Sequence, residues 1–272
     1  MKRFITYCLI LISTNLFSQK SDSLNLKPFF GDFVGAISVF NMQTGKSIQY
    51  NEEQCKKRFS PCSTFKIPNS LIGFETGIIT DTSFVINYDS ILHPRDLELI
   101  KKEPYKYWFQ NLSIKNAFKY SCVWYYQELA RRIGKQRMQK FITQIDYGNN
   151  SISTDIDKFW LDGSMEISIN EQIEFLKKLY SYKLNGFSKK NIDMVKSMML
   201  YQNTPSYRLY GKTGAGDLPD NKAIGWYVGF VETQSGVYLF AMNILVNNFD
   251  DFKNNLRIEI TKNTLKELKI IN

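Results

Sequence analysis

The pattern of hydrophobic and polar positions separates two strand-like ends from a helical middle. Apolar runs of strand length lie near both ends, and turn-forming residues at 41–45 and 233–236 separate neighbouring runs. The strand-like runs are residues 33–40, 47–50, 207–212, 223–232 and 237–246. The first two runs predict one β-hairpin, and the last two predict another.

From about residue 63 to residue 200 the pattern is mainly helical. Residues 118–133 and 170–182 each place apolar side chains three and four positions apart, which is typical of an amphipathic helix. The polar stretch between them, residues 146–157, is too irregular for a long element. A last amphipathic helix is predicted at about residues 252–269.

This order of elements predicts an α+β fold. We expect one antiparallel sheet flanked by terminal helices, with an all-helical subdomain inserted in its middle. The sheet lobe would comprise about residues 30–62 and 205–272, and the helical lobe about residues 63–204. A cleft between two such lobes is a common ligand site.

The first 18 residues are predicted to be a secretory signal peptide. Lys2 and Arg3 form a basic start, residues 4–12 form an apolar core, and cleavage near Ser18 would leave residues 19–272. The apolar core is too short to span a bilayer comfortably, and no later segment is long and apolar enough to cross a membrane. We therefore expect an exported, periplasmic protein that is not stably inserted in a membrane.

Charge and composition argue against a nucleic-acid partner. The formal net charge is +9, but lysine and arginine are scattered in pairs, as on an ordinary solvated surface. Aromatic residues make up 15% of the chain, and we interpret them as core packing rather than as a base-stacking surface. No interface patch stands out, so no oligomeric state is predicted.

The single histidine, His93, narrows the possible chemistry. A zinc site needs three or four closely spaced His, Cys or carboxylate ligands, and the sequence offers no such cluster, so no metal is predicted. His93 precedes Pro94 in a polar, loop-like stretch, which makes it a poor base for a serine nucleophile. The proton transfer of a serine hydrolase would then fall to a lysine, a carboxylate or a tyrosine.

Three cysteines remain after removal of the signal: Cys55, Cys62 and Cys122. In an exported protein a Cys55–Cys62 disulfide could close a small loop. Three reduced, packed cysteines are an equally good interpretation, and both stay open here.

The stretch that carries chemistry is Ser63-Thr64-Phe65-Lys66. A Ser-x-x-Lys pattern alone is weak, although it occurs only once in this chain. Pro61 precedes an apolar helical run, so Ser63 is predicted at a helix N-terminus, on the same face as Lys66. Pro68 disturbs this expectation because it removes a helical hydrogen bond early in the element.

Further motifs raise the specificity of the pattern. Ser121-Cys122-Val123 lies in the helical region, and Lys212-Thr213-Gly214 lies at the end of a predicted strand. A serine nucleophile with its lysine, a second serine motif and Lys-Thr-Gly, in this order, are the signature of penicillin-recognising serine enzymes.

Within that superfamily the sequence resembles class D β-lactamases, the oxacillinases, over nearly the whole mature chain. The motifs that carry the resemblance are Ser63-Thr64-Phe65-Lys66, Ser121-Cys122-Val123, Tyr147-Gly148-Asn149, Phe159-Trp160-Leu161, Lys212-Thr213-Gly214 and Arg257. The resemblance implies the β-lactamase/transpeptidase-like fold, β-lactam antibiotics as the small-molecule substrates, and resistance to them as the biological effect.

The resemblance also implies a set of catalytic residues. These are Ser63, Lys66, Ser121, Val123 and Trp160. Ser63 would be acylated, and Ser121 would pass a proton to the lactam nitrogen. No cofactor is implied, but Lys66 would carry a CO2-derived carbamate as general base, because a desolvated lysine has the neutral amine that reacts with CO2. Tyr147-Gly148-Asn149 is interpreted as structural.

A second group of residues would bind the substrate. It consists of Lys212, Thr213, Gly214, Ala215 and Arg257. Lys212, Thr213 and Arg257 would hold the substrate carboxylate through charge-assisted contacts. The backbone N–H groups of Ser63 and Ala215 would form the oxyanion hole. The substrate range would depend on the loops near residues 105–112 and 217–222.

Two other functions share part of this pattern. One is a penicillin-binding D,D-peptidase, and the other is a β-lactam sensor domain that is acylated without turnover. Val123 and Trp160 favour the carbamate, and hence a β-lactamase, over the peptidase. The predicted signal peptide, without preceding membrane and signalling regions, favours a β-lactamase over the sensor.

Overall fold

A computed structural model describes residues 25–152 and 155–272. The predicted signal peptide, residues 1–18, lies outside these residues. The strands are β1 (Val34–Asn41), β2 (Ser47–Tyr50), β3 (Val85–Ile86), β4 (Leu112–Ser113), β5 (Leu200–Asn203), β6 (Tyr207–Asp217), β7 (Ala223–Thr233) and β8 (Gly236–Val246). The described strands form a six-stranded antiparallel sheet in the order β2-β1-β8-β7-β6-β5 and a small β3-β4 pair.

The helices fall between β2 and β5 and at the two ends of the described chain. They are α1 (Lys27–Phe30), α2 (Glu52–Lys56), α3 (Lys66–Glu75), α4 (Ile114–Lys119), α5 (Val123–Ile133), α6 (Lys135–Ile145), α7 (Ile169–Tyr180), α8 (Lys189–Met199) and α9 (Leu256–Glu267). Short 3-10 turns occupy Cys62–Phe65, Leu99–Lys101, Tyr105–Tyr107 and Phe249–Asn255. None of the described helices has the length and apolar character needed to cross a membrane.

The sheet is buried on both faces, which explains the continuous apolar run of β7. Side chains alternate between the faces of a strand, so Trp226 and Val228 face the core shared with the helical region. Tyr227 and Val231 face the other way, against α1 and α9. An antiparallel sheet between terminal helices and an inserted helical region confirms the predicted α+β fold.

The predicted hairpins are present, but two predicted helices are interrupted. Residues 118–133 do not form one helix, because α4 ends at Lys119 and Ser121 adopts a left-handed backbone with φ of 56°. Cys122 then turns extended before α5, and its N–H closes the break by donating to the Ala117 carbonyl at 2.8 Å. The apolar periodicity continues across this break and therefore conceals it.

The C-terminal helix also begins later than predicted. The segment 249–255 is a kinked 3-10 turn in which Lys253 is extended, and Asn254 and Asn255 have φ of 55° and 56°. Asparagine tolerates the left-handed conformation better than most residues, so the two asparagines can end the turn and start α9 at Leu256. This late start places Arg257 in the first turn of α9.

Gly148 makes a close backbone contact that a side chain would destroy. Its φ is +59°, and a Cβ atom at this position would lie 2.2 Å from the carbonyl oxygen of Glu166. That oxygen accepts the N–H of Asn149 at 2.9 Å, and the Asn149 side-chain amide donates to the Ser164 carbonyl at 2.9 Å. These contacts support the structural interpretation of Tyr147-Gly148-Asn149.

We expect Gly148→Ala to destabilise the protein much more than Gly163→Ala. Gly163 also has positive φ, +84°, but a Cβ atom there would meet nothing within 4 Å. The Gly163→Ala variant therefore measures only the backbone strain, a loss of about 1–2 kcal/mol in the free energy of unfolding. The Gly148 variant adds the overlap with Glu166, for a further loss of about 2 kcal/mol or more. Urea unfolding measures both free energies. Equal losses in the two variants would contradict the close contact.

Candidate active site

The motif of the predicted nucleophile, Ser63, lies on the 3-10 turn Cys62–Phe65, called the nucleophile turn below, which leads directly into α3. Pro61 begins the turn with φ of −66°, and the N–H of Lys66 donates back to the Ser63 carbonyl. Because α3 begins at Lys66, Pro68 falls in its first turn, where backbone N–H groups have no intrahelical partner. The disturbance expected from Pro68 therefore does not arise. Ser63 lies in the turn before the helix rather than in its first turn.

The side chains of Ser63 and Lys66 meet as the sequence predicts. Lys66 Nζ donates to Ser63 Oγ at 2.8 Å. Lys66 is 1% exposed, and it forms no ion pair within the described residues. Burial lowers the pKa of Lys66 to about 8, because an ammonium loses its hydration there. About a tenth of the lysine is therefore neutral at pH 7, far more than for an exposed lysine.

The two thiols near Lys66 are protonated. Burial raises the pKa of Cys62 and of Cys122 to about 12, so neither supplies a negative charge to the lysine at neutral pH. Cys55 lies elsewhere, against the carbonyls of Ile37 and Tyr50. All three cysteines are free and buried, so the interpretation with a Cys55–Cys62 disulfide is wrong.

Trp160 forms an apolar wall close to the nucleophile turn. Its ring is fully buried and stacks on Phe65, with ring centroids 5.4 Å apart. Its backbone carbonyl accepts the Ser60 hydroxyl at 2.7 Å and the Cys62 N–H at 3.0 Å, which ties it to the turn. The indole N–H of Trp160 has no hydrogen-bond partner within the described residues. An unpaired buried donor is costly, so this N–H is suited to an acceptor that the protein alone does not supply.

Ser121 and Lys212 form a second pair of polar groups. The left-handed backbone at Ser121 separates α4 from α5, and Lys212 Nζ donates to Ser121 Oγ at 3.0 Å and to the Thr213 carbonyl at 2.9 Å. Burial holds the pKa of Lys212 well below its usual range, and the charges of Lys66 and Arg257 lower it further. Val123 is the half-buried first residue of α5, two positions after Ser121.

Strand β6 packs directly against the nucleophile turn. A Cβ atom on Gly214 would lie 3.0 Å from the Pro61 carbonyl oxygen and 3.2 Å from the Thr64 nitrogen. A Cβ atom on Gly216 would lie 2.5 Å from Cys62 Sγ. The residue between these two glycines, Ala215, is therefore held beside the turn that carries Ser63.

Helix α9 places Arg257 against strand β6. Its guanidinium donates to the Gly214 carbonyl at 2.7 Å and lies 4.6 Å from the centroid of the Phe252 ring. Burial lowers the pKa of Arg257 to about 10, and the group remains a cation at neutral pH. Arg257 thus places a positive charge beside β6, and neither Arg257 nor Lys212 has a carboxylate partner within the described residues.

Sequence reasoning missed the polar supports beneath this site. Gln172 on α7 donates to Thr64 Oγ1 at 3.0 Å and to the Tyr147 hydroxyl at 3.2 Å, so Tyr147 braces the residue next to Ser63. Ser70 and Tyr126 form a similar support behind Lys66. The one available signal was the four-residue spacing of Lys66 and Ser70 along α3, because no local pattern links Gln172 or Tyr126 to the turn.

Comparison with known proteins agrees with this geometry. Residues 30–266 match the family model of the penicillin binding protein transpeptidase domain. The chain is 40% identical over 237 residues to beta-lactamase OXA-48 of Klebsiella pneumoniae, which covers 87% of this chain and 84% of that protein. The crystal structure of the class D beta-lactamase YbXI from Nostoc superposes with a TM-score of 0.81 at 40% identity, covering 90% of this chain and 98% of that one.

The chain belongs to the class D β-lactamases. The family resemblance seen in the motifs is confirmed, and the chain is a hydrolase of the penicillin-recognising serine superfamily. This class D chain is also 34% identical over 218 residues to regulatory protein BlaR1 of Bacillus licheniformis, matching 79% of this chain but 34% of that protein.

We expect Lys66→Met to stabilise this class D β-lactamase at neutral pH in CO2-free buffer. The folded pKa of Lys66, about 8, lies below the ordinary lysine value of 10.5. The penalty for a buried ammonium is therefore complete below about pH 8, declines as pH rises towards 10.5, and is absent above it. The gain in unfolding free energy should be about 3 kcal/mol at pH 7 at most.

Urea unfolding between pH 6.5 and pH 10.5 checks this expectation, with the exposed Lys140→Met on α6 as the matched control. A stabilisation by Lys66→Met that is independent of pH would contradict the buried-ammonium account.

Proposed function

We propose that the chain hydrolyses β-lactam antibiotics through an acyl-enzyme on Ser63. One observation carries this proposal most strongly: the Ser63 hydroxyl lies 2.8 Å from the nitrogen of a fully buried lysine that has no ion-pair partner within the described residues. A hydroxyl is a weak nucleophile until a neighbouring base takes its proton, and an unpaired buried amine is such a base. The similarity to named class D β-lactamases supports the same reaction.

In acylation, Ser63 Oγ attacks the lactam carbonyl carbon and gives its proton to the base at position 66. A C–O bond forms, the lactam C–N bond breaks, and the nitrogen must gain a proton. Ser121 is suited to deliver it, because Lys212 donates to Ser121 Oγ and leaves the serine's own hydrogen free to point to the substrate. Lys212 is repelled by nearby cations and can replace the proton that Ser121 gives up.

The edge of β6 is suited to bind and polarise the substrate. Lys212, Thr213 and Arg257 would hold the carboxylate that β-lactams carry, because buried basic groups without a carboxylate partner favour an anion. The close packing of Gly214 on the nucleophile turn supports an oxyanion hole made by the N–H groups of Ser63 and Ala215. These two N–H groups would stabilise the negative charge that develops on the lactam oxygen.

The surroundings of Lys66 fit a carbamate. The lysine is buried and part neutral, and the indole N–H of Trp160 is a buried donor without a partner within the described residues. Ser63 and Trp160 would hold the group by hydrogen bonds, while Phe65 and Val123 would keep the pocket apolar. A carbamate formed from CO2 supplies a general base that is anionic near neutral pH.

We also propose that residues 1–18 direct export, so that the enzyme acts in the periplasm. The basic start and apolar core of this segment support the proposal.

Deacylation distinguishes this function from the two alternatives. A D,D-peptidase or a sensor would be acylated on Ser63 and would release a β-lactam very slowly. The similarity to a regulatory protein makes the sensor the alternative to exclude first. A β-lactamase must activate water on the acyl-enzyme, and the base at position 66 is what makes that step possible.

The test is turnover of a penicillin by the purified protein with and without added bicarbonate. We expect many turnovers per molecule and a higher rate with bicarbonate. Ser63→Ala should lose acylation, whereas Lys66→Ala should lose turnover. Acylation without turnover under both conditions would overturn the proposed hydrolysis, and wild-type deacylation by Lys66→Ala would overturn the role of Lys66.

A second prediction concerns the unpaired N–H of Trp160. We expect Trp160→Phe to raise the bicarbonate concentration needed for half-maximal turnover by about tenfold to a hundredfold, because a hydrogen bond to a charged group is lost. Trp124→Phe is the matched control: Trp124 is buried, but its N–H donates to the Trp108 carbonyl. An unchanged bicarbonate dependence in Trp160→Phe would contradict the assigned role.

A further inference from the structure

A buried chain of hydrogen bonds connects α5 to the backbone of Lys66. The Ser70 hydroxyl donates to the Lys66 carbonyl at 2.7 Å, and its oxygen lies 2.8 Å from the Tyr126 hydroxyl. Because the Ser70 hydrogen is used on Lys66, the Tyr126 hydroxyl must be the donor to Ser70. Asn69 adds a bond from its side-chain amide to the Tyr126 carbonyl at 3.3 Å. All of these residues are fully buried or nearly so.

The aromatic ring of Tyr126 contacts the same lysine at its other end. Lys66 Nζ lies 5.2 Å from the ring centroid, within the range in which a cation is attracted to the face of an aromatic ring. The ring is completely buried, so water does not weaken the attraction. One tyrosine therefore contacts Lys66 by its ring at Nζ and, through Ser70, by its hydroxyl at the carbonyl.

We propose that Tyr126 is a positioning residue for Lys66, which fixes the lysine backbone through Ser70 and sets its side-chain nitrogen against the aromatic ring. The effect of Tyr126 on catalysis rests on the proposed function. The contacts between Tyr126, Ser70 and Lys66 are observed whatever the function is. Tyr126 also lies on the helix that begins just after Ser121, so the same contacts fix the distance between the base and the serine that passes the proton.

The two parts of Tyr126 have different effects. The ring favours the charged ammonium and so opposes the lowering of the Lys66 pKa by burial. The hydroxyl acts on the backbone and leaves the charge unaffected. The other groups that face Lys66 are Ser63, the Cys62 and Cys122 thiols, and the ammonium of Lys212 on β6.

The charge effect can be measured without substrate. We would titrate protein with 13C-labelled lysine side chains by NMR in CO2-free buffer, and assign the Lys66 signal by its absence in Lys66→Ala. Tyr126→Leu should lower the Lys66 pKa by about 0.5 to 1.5 units, whereas Tyr126→Phe should keep the wild-type value. Tyr125→Leu and Tyr125→Phe are matched controls, because Tyr125 is equally buried but its hydroxyl bonds to the Phe84 carbonyl.

The effect of the Tyr126 hydroxyl on the Lys66 backbone is measured as kcat at saturating bicarbonate. Tyr126→Phe and Ser70→Ala should each lower kcat about five- to thirtyfold at unchanged Lys66 pKa, and the double variant should lose no more than either single one. Tyr125→Phe should keep kcat within about twofold.

Two results would overturn the inference: a wild-type Lys66 pKa in folded Tyr126→Leu, or a kcat of Tyr126→Phe equal to that of Tyr125→Phe. The NMR titration needs neither turnover nor CO2, so failure of the proposed hydrolysis would show separately, as absent turnover by wild-type protein.

Discussion

A buried lysine without an ion-pair partner in the described part of the chain is the constraint on which the site depends. Lys66 is fully buried, and no carboxylate forms an ion pair with it in residues 25–152 and 155–272. The protein therefore tolerates a buried charge or releases its proton, and the lowered pKa of the lysine is the result. Burial and the hydrogen bond to Ser63 together suit this lysine to the proposed role of base in a chain with one histidine.

The rest of the site follows the same pattern of polar groups that lack a partner in the described structure. Burial lowers the pKa of Lys212 and of Arg257, and the Trp160 indole N–H lacks an acceptor within the described residues. Each costs stability, and each is suited to an anion that comes from outside the chain: a substrate carboxylate or a carbamate. The apolar side chains buried on both faces of the sheet stabilise the fold and offset this loss. Proteins commonly give up stability at a site in this way.

The sequence predicted the fold class and the main motifs because both are local patterns. Strand runs, a three-residue Ser63–Lys66 spacing and the order of the motifs can be read from neighbouring residues. The break at Ser121 could not be predicted, since apolar spacing continues through it and a serine rarely adopts a left-handed backbone. The support of Lys66 by Tyr126 joins positions 60 residues apart, so only the packing of α3 on α5 reveals it.

The central claim is that Lys66 acts as a base because it is buried without a counter-charge and accepts CO2. The most direct measurement is a 13C NMR spectrum of the protein after equilibration with 13C-bicarbonate. We expect one carbamate resonance that is absent in Lys66→Ala and that is lost on acidification in parallel with turnover. Full turnover by wild-type protein with no carbamate resonance, or the same resonance in Lys66→Ala, would contradict the account.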